Sequence, residues 1–250
     1  MIEKLFRIDQ LMVMKSLAKS RTQSKELIEA GYVTCDKSIV RKPSTLLHED
    51  AALAINGKIH PWVSRGGLKL VAALDLFEIE VYDKVCMDIG ASTGGFTDVL
   101  LAKGAKKIYA IDVGIDQLSE SLVQNKIVIN LEKTDARDLN ATLVPDLIDV
   151  MVCDVSFISL RKVMPMPMSF VKPGGILVCL LKPQFEAGPG RVDKKGILRD
   201  DQFRQLILTD TSSWFAELPD WNFIGSTVSP VQGRGGNIEF LMVCSKRILS

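Results

Sequence analysis

The sequence predicts an α/β fold, in which a small α+β module precedes a doubly wound and mostly parallel sheet. Two observations predict it. Over residues 63–250, short apolar runs alternate with stretches of helical periodicity, as in a succession of βα units. One of these runs leads into a glycine-rich turn and then a helix, which is the ligand-binding arrangement of such sheets. The 250 residues suffice for one domain of this kind and a small appendage.

The first 62 residues have the pattern of a compact module with two helices and a tight β unit. Ser20 and Gln23 stand at the spacing of a capping box, which marks the start of the second helix. Gly31 is the residue at which that helix should end. The predicted elements are a helix over 5–15, a helix over 20–31, a hairpin over 32–40 and a strand with its turn over 53–57.

Charge distinguishes this module from the rest of the chain. Residues 1–62 carry 10 Lys/Arg against 7 Asp/Glu, whereas residues 63–250 carry 21 against 23. A basic module on a nearly neutral body predicts contact with a polyanion, although an ordinary solvated surface has the same composition. The candidate contacts are Arg7, Lys15, Lys19, Arg21, Lys25, Arg41, Lys42 and, just beyond the module, Arg65.

The second unit is predicted over residues 63–250, where a helix over 68–77 precedes alternating strands and helices. The predicted strands are 85–89, 107–113, 127–131, 148–154, 175–181, 222–229 and 239–244. The predicted helices are 95–103, 115–124, 158–170 and 200–217. A short loop rich in Pro and Gly joins the last two strands and leaves no room for a crossover helix. These two strands should therefore pair antiparallel at the sheet edge.

The cysteines and the apolar runs indicate where the protein works. None of the five cysteines stands in a C-x-x-C pair, and four lie in strand-like runs, which predicts a reducing cytoplasm rather than disulfides or bound zinc. The first residues lack the apolar core of a secretory signal. The longest apolar run, residues 176–181, is far too short for a membrane span. We therefore expect a cytoplasmic protein without a membrane span or a metal.

The glycine-rich turn predicts the cofactor. Glycines let a ligand approach the backbone, and the start of the following helix offers free N–H donors. The acid at the strand end would repel a pyrophosphate but suits a cofactor with an amine and a sulfonium, such as S-adenosylmethionine. Nicotinamide and flavin enzymes use similar turns, which leaves an oxidoreductase as an alternative. The predicted cofactor contacts in this turn are Asp88, Gly90, Ala91, Ser92, Gly94, Gly95 and Phe96.

Two further acids follow the next two strands. Asp112 ends the second strand of the body, 24 residues after Asp88, where an acid can bind ribose hydroxyls. Asp135 follows the third strand, where we expect it to reach an adenine edge. Such an acid favours S-adenosylmethionine over a dinucleotide. Both residues would also serve as helix-capping acids, so that structural role stays open.

Four charged residues are placed to meet at the carboxyl edge of the sheet. Asp154 ends the fourth strand, and Lys182 ends a strongly apolar strand, where burial favours the neutral amine of a base. Lys69 lies on the first helix of the body, and Glu239 opens the last strand. Together they would convert a hydroxyl into a nucleophile. Val155-Ser156 replaces the Pro-Pro of base-amine methyltransferases, so a base amine is disfavoured as the target.

Four long runs in order closely resemble the TlyA family of bacterial ribosomal-RNA 2′-O-methyltransferases, whose members are often labelled hemolysins. The runs are WVSRGGLKL at 62–70, DIGASTGGFTD at 88–98, DVSFISL at 154–160 and KPQFEAG at 182–188. The resemblance covers essentially the whole chain. It implies an S4-type RNA-binding domain over residues 1–62 and an FtsJ-like, Rossmann-like methyltransferase domain over residues 63–250.

The resemblance also implies the roles of the site residues. Lys69, Asp154, Lys182 and Glu239 match a catalytic tetrad for 2′-hydroxyl methylation with S-adenosylmethionine. The implied partners are ribosomal RNA and ribosomal subunits, with cytidine as the methylated nucleotide; the subunit and the oligomeric state stay open. The chain departs from the family at Asp135, where Asn is frequent, and at the turn Cys35-Asp36-Lys37, where an Asn-Gly type turn is usual.

Two alternatives from other classes stay open at this point. A non-catalytic RNA-binding or ribosome-assembly factor would use the basic module and keep a vestigial cofactor site. It is disfavoured because the glycine turn and all four tetrad residue types are present. A membrane-lytic hemolysin is suggested only by the family label, and the sequence has neither a span nor a long basic amphipathic helix.

Overall fold

The computed structural model describes residues 4–18, 20–57, 60–188 and 190–248. The chain divides into two compact units, Met1–Pro61 and Trp62–Ser250. Each unit has its own hydrophobic core.

The first unit holds five short strands and two helices among its described residues. In chain order these are β1 (Leu5–Arg7), α1 (Ile8–Met14), α2 (Arg21–Glu29), β2 (Val33–Cys35), β3 (Ser38–Ile39), β4 (Leu46–His48) and β5 (Leu53–Ile55). Strands β3, β2 and β5 form an antiparallel sheet, and β1 pairs antiparallel with β4. The core consists of the buried residues Ile8, Met12, Ala18, Leu27, Ile28 and Val33.

Two local predictions for this unit are confirmed and one is wrong. The hydroxyl of Ser20 accepts from the backbone N–H of Gln23 at 3.2 Å, as an N-cap does. Asp36 and Lys37 both have positive φ, as a two-residue hairpin turn requires. The predicted helix over 5–15 begins only at Ile8, because the preceding three residues pair with β4, a strand that the local pattern did not reveal.

The second unit is a seven-stranded sheet covered by helices. Its strands are β6 (Val85–Ile89), β7 (Lys107–Ile111), β8 (Val128–Leu131), β9 (Ile148–Cys153), β10 (Val171–Leu181), β11 (Trp221–Val228) and β12 (Phe240–Lys246). Its helices are α3 (Gly66–Leu76), α4 (Gly95–Ala102), α5 (Glu120–Val123), α6 (Leu160–Val163), α7 (Pro165–Ser169), α8 (Pro183–Glu186) and α9 (Asp201–Glu217). The strand order is β11-β12-β10-β9-β6-β7-β8.

The sheet confirms the predicted fold class. Strands β10, β9, β6, β7 and β8 run parallel, and β12 pairs antiparallel with both β10 and β11. The last two strands thus form the antiparallel pair at one side of the sheet, as expected. The reversed strand β12 lies one position in from the edge, and β11 is the edge strand.

Side chains alternate between two cores, one on each face of the sheet. Met87 and Met151 pack into one core, whereas Cys86 and Val150 from the same strands pack into the other. Helices α3 and α4 cover the second face, and α6, α7 and α9 cover the first. Because both faces are covered, the polar residues that remain available to a ligand are those at the strand ends.

Three element predictions differ from the structure. The helix over 115–124 shortens to Glu120–Val123. The helix over 158–170 divides into two short helices, the second of which begins at Pro165 because proline lacks the N–H that would continue the first. Strand β10 begins at Val171, and the helical turn α8 after it was not predicted.

Candidate functional site

The glycine turn after β6 is shaped by contacts within the protein. Gly90 has φ +81°, and a Cβ there would lie 2.8 Å from the carbonyl oxygen of Asp154. At Gly94, with φ +94°, a Cβ would lie 2.3 Å from Leu122 Cδ1. At Gly95, a Cβ would lie 2.3 Å from Ser64 Oγ. The glycines therefore let segments of the protein approach each other, and their predicted contact with a ligand stays a prediction.

Asp88 lies beneath the turn and does not line a cavity. Its side chain is fully buried, and Oδ2 accepts a hydrogen bond from Thr97 Oγ1 at 2.7 Å. Its Oδ1 has no hydrogen-bond partner among the described residues. Burial in low dielectric raises the pKa of Asp88 to about 7. Because Thr97 belongs to α4, the carboxylate faces that helix, and its predicted cofactor contact stays a prediction.

Asp112 fixes the turn and lines the larger of two adjoining cavities. Its Oδ2 accepts from the backbone N–H of Ser92 at 2.8 Å, and its Oδ1 accepts from Gly114 N–H at 2.7 Å. Ser92 has φ +47°, so this hydrogen bond holds it in a left-handed conformation. The residue therefore shapes the backbone of the turn and also presents a carboxylate to the cavity.

Asp135 also combines a structural contact with a place in the cavity wall. It is the N-cap of a 3₁₀ turn and accepts from the backbone N–H of Arg137 at 2.9 Å. The Arg137 guanidinium donates to both carboxylate oxygens and holds the pKa of Asp135 at about 2. The capping role therefore holds, the residue also lines the larger cavity, and its predicted contact with adenine stays a prediction.

Two adjoining cavities open at the carboxyl edge of the sheet, with volumes of about 290 and 520 Å³. They share Gly90, Ser92, Asp154 and Ser156 in their walls. Of the predicted site residues, the smaller cavity is also lined by Arg65, Lys69, Ala91, Gly95, Phe96 and Lys182, and the larger one by Asp112 and Asp135. Asp88, Gly94 and Glu239 line neither cavity.

The four predicted tetrad residues come together in one charged chain. Lys182 Nζ lies 2.6 Å from Asp154 Oδ1, and Lys69 Nζ lies 3.9 Å from Asp154 Oδ2. Lys69 also donates to Glu239 Oε2 at 2.7 Å. The side chains of Lys69, Lys182 and Glu239 are each at least nine-tenths buried, whereas that of Asp154 is 21% exposed. Each positive charge in this chain of contacts lies beside a negative one. The pairing compensates the charges in a site that is largely shielded from water.

Two further polar side chains complete this cluster and escaped the sequence analysis. Lys182 Nζ donates to Ser156 Oγ at 2.8 Å, and Gln184 Nε2 donates to Glu239 Oε1 at 3.3 Å. Ser156 lies two residues after Asp154, and Gln184 lies two residues after Lys182. This spacing would have identified both residues only if the loop conformations had been known. Phe157 was also missed: it is 82% exposed beside Ser156, and its ring centroid lies 4.9 Å from that of Phe185.

Several of the basic residues of the first unit form ion pairs within the protein. Arg7 Nε lies 3.0 Å and Arg21 Nη2 2.9 Å from the carboxylate of the buried Asp9. The two guanidinium-bearing side chains keep 41% and 56% exposure, so Asp9 orients them without enclosing them. Lys25 pairs with Glu29 at 3.7 Å.

The remaining basic residues that were predicted to contact RNA lie at different places in the chain. The Arg41 guanidinium packs over Gly31, and Lys15 and Lys42 are exposed. Lys19 lies outside the described residues. Arg65 belongs to the second unit, at the start of α3.

Within the described ranges, no group of three or more His, Cys, Asp or Glu residues is arranged to hold a metal ion. Of the helices described, none is long and apolar enough to cross a membrane.

The comparison with known families identifies the larger unit. The FtsJ-like methyltransferase family matches residues 62–246, a range that contains the whole seven-stranded sheet and all four charged residues. The chain belongs to the FtsJ-like methyltransferase family. An S4 domain matches residues 6–53 of the smaller unit.

Similar proteins confirm the predicted resemblance to the TlyA family. The 16S/23S rRNA (cytidine-2′-O)-methyltransferase TlyA of Mycobacterium tuberculosis is 41% identical over 237 residues, which cover 94% of this chain and 88% of that protein. Hemolysin A of Brachyspira hyodysenteriae is 40% identical over 238 residues, covering 94% and 98% respectively. A solved structure of a hemolysin-named protein from Streptococcus thermophilus has a TM-score of 0.77 at 37% identity, covering 98% of this chain and 90% of that one.

Proposed function

We propose that this methyltransferase transfers a methyl group from S-adenosylmethionine to the 2′-hydroxyl of a cytidine in ribosomal RNA. The observation that carries the proposal is the chain of contacts from Lys182 through Asp154 and Lys69 to Glu239, beside a cavity at the carboxyl edge of the sheet. The names of the TlyA relatives from Mycobacterium tuberculosis and Campylobacter jejuni supply the target nucleotide and the class of RNA.

The chemistry of the larger cavity fits S-adenosylmethionine. Its charged lining residues are Asp112, Asp135, Asp154 and Arg137, so acids outnumber bases three to one. An acidic wall accommodates the sulfonium and the amine of this cofactor and repels the pyrophosphate of a dinucleotide. Asp112 would hold the ribose hydroxyls, and Asp135 would face the adenine. When bound, the cofactor supplies an activated methyl group, so the protein need not provide an electrophile.

Lys182 is the group placed to manage the proton of the target hydroxyl. Its Nζ donates to Ser156 Oγ at 2.8 Å and lies 2.6 Å from Asp154 Oδ1, and Lys182 lines the smaller cavity. Lys182 would accept the 2′-hydroxyl proton as the ribose oxygen takes the methyl group, and the demethylated cofactor would leave.

Lys69 stabilises the oxygen during this step. Its Nζ is paired with Glu239 at 2.7 Å in a buried environment, which fixes the side chain beside the smaller cavity. A fixed positive charge in a site with little water stabilises a developing alkoxide more than it would in bulk solvent. Asp154 lies between the two lysines and keeps both ammonium groups on the same side of the cavity.

The S4 domain would supply affinity for RNA through phosphate contacts. Such contacts are independent of sequence and weaken steeply with salt. The guanidinium groups of Arg7 and Arg21 are oriented by Asp9 and stay half-exposed, which suits a fork-like contact with phosphate. The body would then recognise the local shape around one ribose.

A methylation assay with purified ribosomal subunits tests the proposal. Wild-type protein, S-adenosylmethionine and subunits should yield a 2′-O-methylcytidine that mass mapping of rRNA fragments locates. We expect Lys182→Ala to lower the turnover number by about 10²–10⁴-fold, the usual contribution of a positioned base. Its affinity for rRNA should be unchanged, because the substitution removes a proton acceptor and not a phosphate contact.

The matched control for this test is Lys126→Ala, which changes an exposed lysine near the amino-terminal end of β8. It should methylate at the wild-type rate. If Lys182→Ala methylated rRNA at nearly the wild-type rate, Lys182 would not be the proton acceptor. A methyl group on a base instead of a ribose would contradict the proposed reaction.

Equilibrium dialysis with labelled S-adenosylmethionine separates the enzyme from the non-catalytic alternative. An RNA-binding or assembly factor with a vestigial site would leave the cofactor evenly distributed across the membrane. We expect retention of the cofactor by the wild-type chain, and weaker retention by Asp112→Ala because this substitution also releases the backbone of Ser92.

A further inference from the structure

A short basic turn projects from the carboxyl side of the methyltransferase unit. It comprises residues 193–197, in the segment between α8 and α9. Lys194 and Lys195 stand at its tip and are exposed. Neither lysine forms an ion pair with any residue in the part of the chain that the structure describes. The other cations nearby are occupied, since Arg199 pairs with Asp193 at 2.9 Å and Arg191 lies 4.4 Å over the ring of Phe203.

The turn is held in one conformation by its own hydrogen bonds. Asp193 N–H donates to the carbonyl of Ile197 at 3.0 Å, and Gly196 N–H donates to the carbonyl of Asp193 at 2.8 Å. The Asp193 side chain accepts from the backbone N–H groups of Lys195 and Ile197 at 2.8 and 3.0 Å. Gly196 has φ +75°, which a residue with a side chain rarely adopts. The two lysines are therefore presented from a fixed backbone.

A buried amide attaches the base of this turn to the tetrad. Asn237 is only 4% exposed, and its Oδ1 accepts from Leu198 N–H at 3.0 Å. Its Nδ2 donates to the carbonyls of Gly196 at 2.9 Å and Arg234 at 3.1 Å. Asn237 precedes Glu239 by two residues. The turn is thus joined to the loop that carries one of the four tetrad residues.

We propose that this basic turn, through Lys194 and Lys195, binds phosphates of the RNA strand beside the target ribose. The inference rests on the function proposed above. A ribose in the smaller cavity brings its neighbouring phosphates to the same edge of the sheet. Two unpaired ammonium groups on a preorganised turn bind these phosphates with little loss of conformational freedom. The turn would then supply the body's own share of RNA affinity, separate from that of the S4 domain.

Charge reversal at the tip tests the inference with the full chain. Equilibrium binding to protein-free rRNA and to intact ribosomal subunits is measured over a range of KCl for Lys194→Glu/Lys195→Glu. We expect affinity for both probes to fall at least about 5-fold, and the slope of log K against log salt to become shallower by about 1.4–1.8 for two lost phosphate contacts. At saturating RNA the methylation rate should match the wild type.

The matched control is Lys106→Glu/Lys126→Glu, which makes the same change of charge at exposed positions on the amino-terminal side of the sheet. It should lose far less affinity than the tip variant. Unchanged binding of the tip variant to both probes would overturn the inference. Loss on intact subunits alone, with binding to free rRNA retained, would assign the turn to a ribosomal protein and also overturn it.

Wild-type methylation in the same experiment separates the two proposals. If the wild type methylates rRNA and the tip variant binds normally, only the role of the turn is lost. If the wild type transfers no methyl group to rRNA, the proposed function fails and the inference fails with it.

Discussion

Asp154 shows how single residues define this site. Its carboxylate lies between two lysines, at 2.6 Å from one and 3.9 Å from the other, and its carbonyl oxygen lies where a Cβ on Gly90 would clash. One residue thus connects the cluster of four charged residues to the glycine turn. A substitution that keeps the charge but changes the length, such as Asp154→Glu, would move both lysines at once.

Asp88 carries a testable pH dependence at the residue scale. Its pKa is raised by burial from its ordinary value to about 7, so between about pH 4 and pH 7 the folded chain binds this proton more tightly than the unfolded chain. Stability from this group is present below pH 4 and is lost as pH rises to 7. We expect Asp88→Asn to flatten the pH dependence of the unfolding free energy in this window, by up to about 1.4 kcal/mol per pH unit.

Urea denaturation at several pH values between 4 and 8 measures this effect. The control is Asp36→Asn, the same chemical change at an exposed turn position with φ +47°, which asparagine tolerates. If the free energy of unfolding changed with pH in the same way for Asp88→Asn and the wild type, the buried carboxylate would not titrate in this range.

At the scale of elements, the site depends on where helices and strands end. Lys69 is on α3, Asp154 follows β9, Lys182 follows β10, and Glu239 precedes β12. Three of these positions meet because β9 and β10 are parallel neighbours and β12 runs antiparallel beside β10. The reversal of β12 brings its first residue, and not its last, to the carboxyl edge of the parallel strands.

The cap of α9 gives a prediction for element stability. Asp200 is the N-cap, and its side chain accepts from Phe203 N–H at 2.9 Å. We expect Asp200→Ala to lower the free energy of unfolding by about 1 kcal/mol, because one backbone donor at the helix start loses its partner. Urea denaturation measures the loss. Asp200→Asn keeps a capping oxygen and should stay close to the wild type; an equal loss in both variants would contradict the capping role.

At the scale of the whole molecule, the proposed tasks divide between the two units. The S4 domain has a small core of its own, and the methyltransferase unit has a core on each face of its sheet. Among the residues that the structure describes, those that line the two cavities all belong to the second unit. Binding of the cofactor and binding of RNA should therefore respond to different changes.

Removal of residues 1–60 tests this division. We expect the shortened chain to retain labelled S-adenosylmethionine in equilibrium dialysis, because the cavity residues all remain. Methylation of ribosomal subunits should fall below detection at physiological salt, since the phosphate contacts of the basic domain are lost. Circular dichroism checks that the remaining unit is folded. Equal activity of the shortened and full chains on subunits would assign RNA recognition to the methyltransferase unit alone.

The sequence by itself determined the fold class and singled out the four charged residues that the structure brings together. Alternating apolar runs predicted the parallel sheet, and the loop between the last two strands predicted their antiparallel pairing, because both depend on local spacing. The sequence missed β4 and predicted one continuous helix over residues 158–170, since pairing partners distant in the chain and the prolines at 165 and 167 decide those elements.

Only the tertiary structure decided what each polar residue contacts. Asp88, at the end of the strand, is turned away from the cavities, whereas Ser156 and Gln184 hold the tetrad although no pattern singled them out. The glycines of the turn admit Asp154, Leu122 and Ser64 from elsewhere in the fold. Sequence periodicity specifies which face of an element is buried, but hydrogen bonds and ion pairs depend on separations of a few tenths of an ångström, which arise only when distant segments pack together.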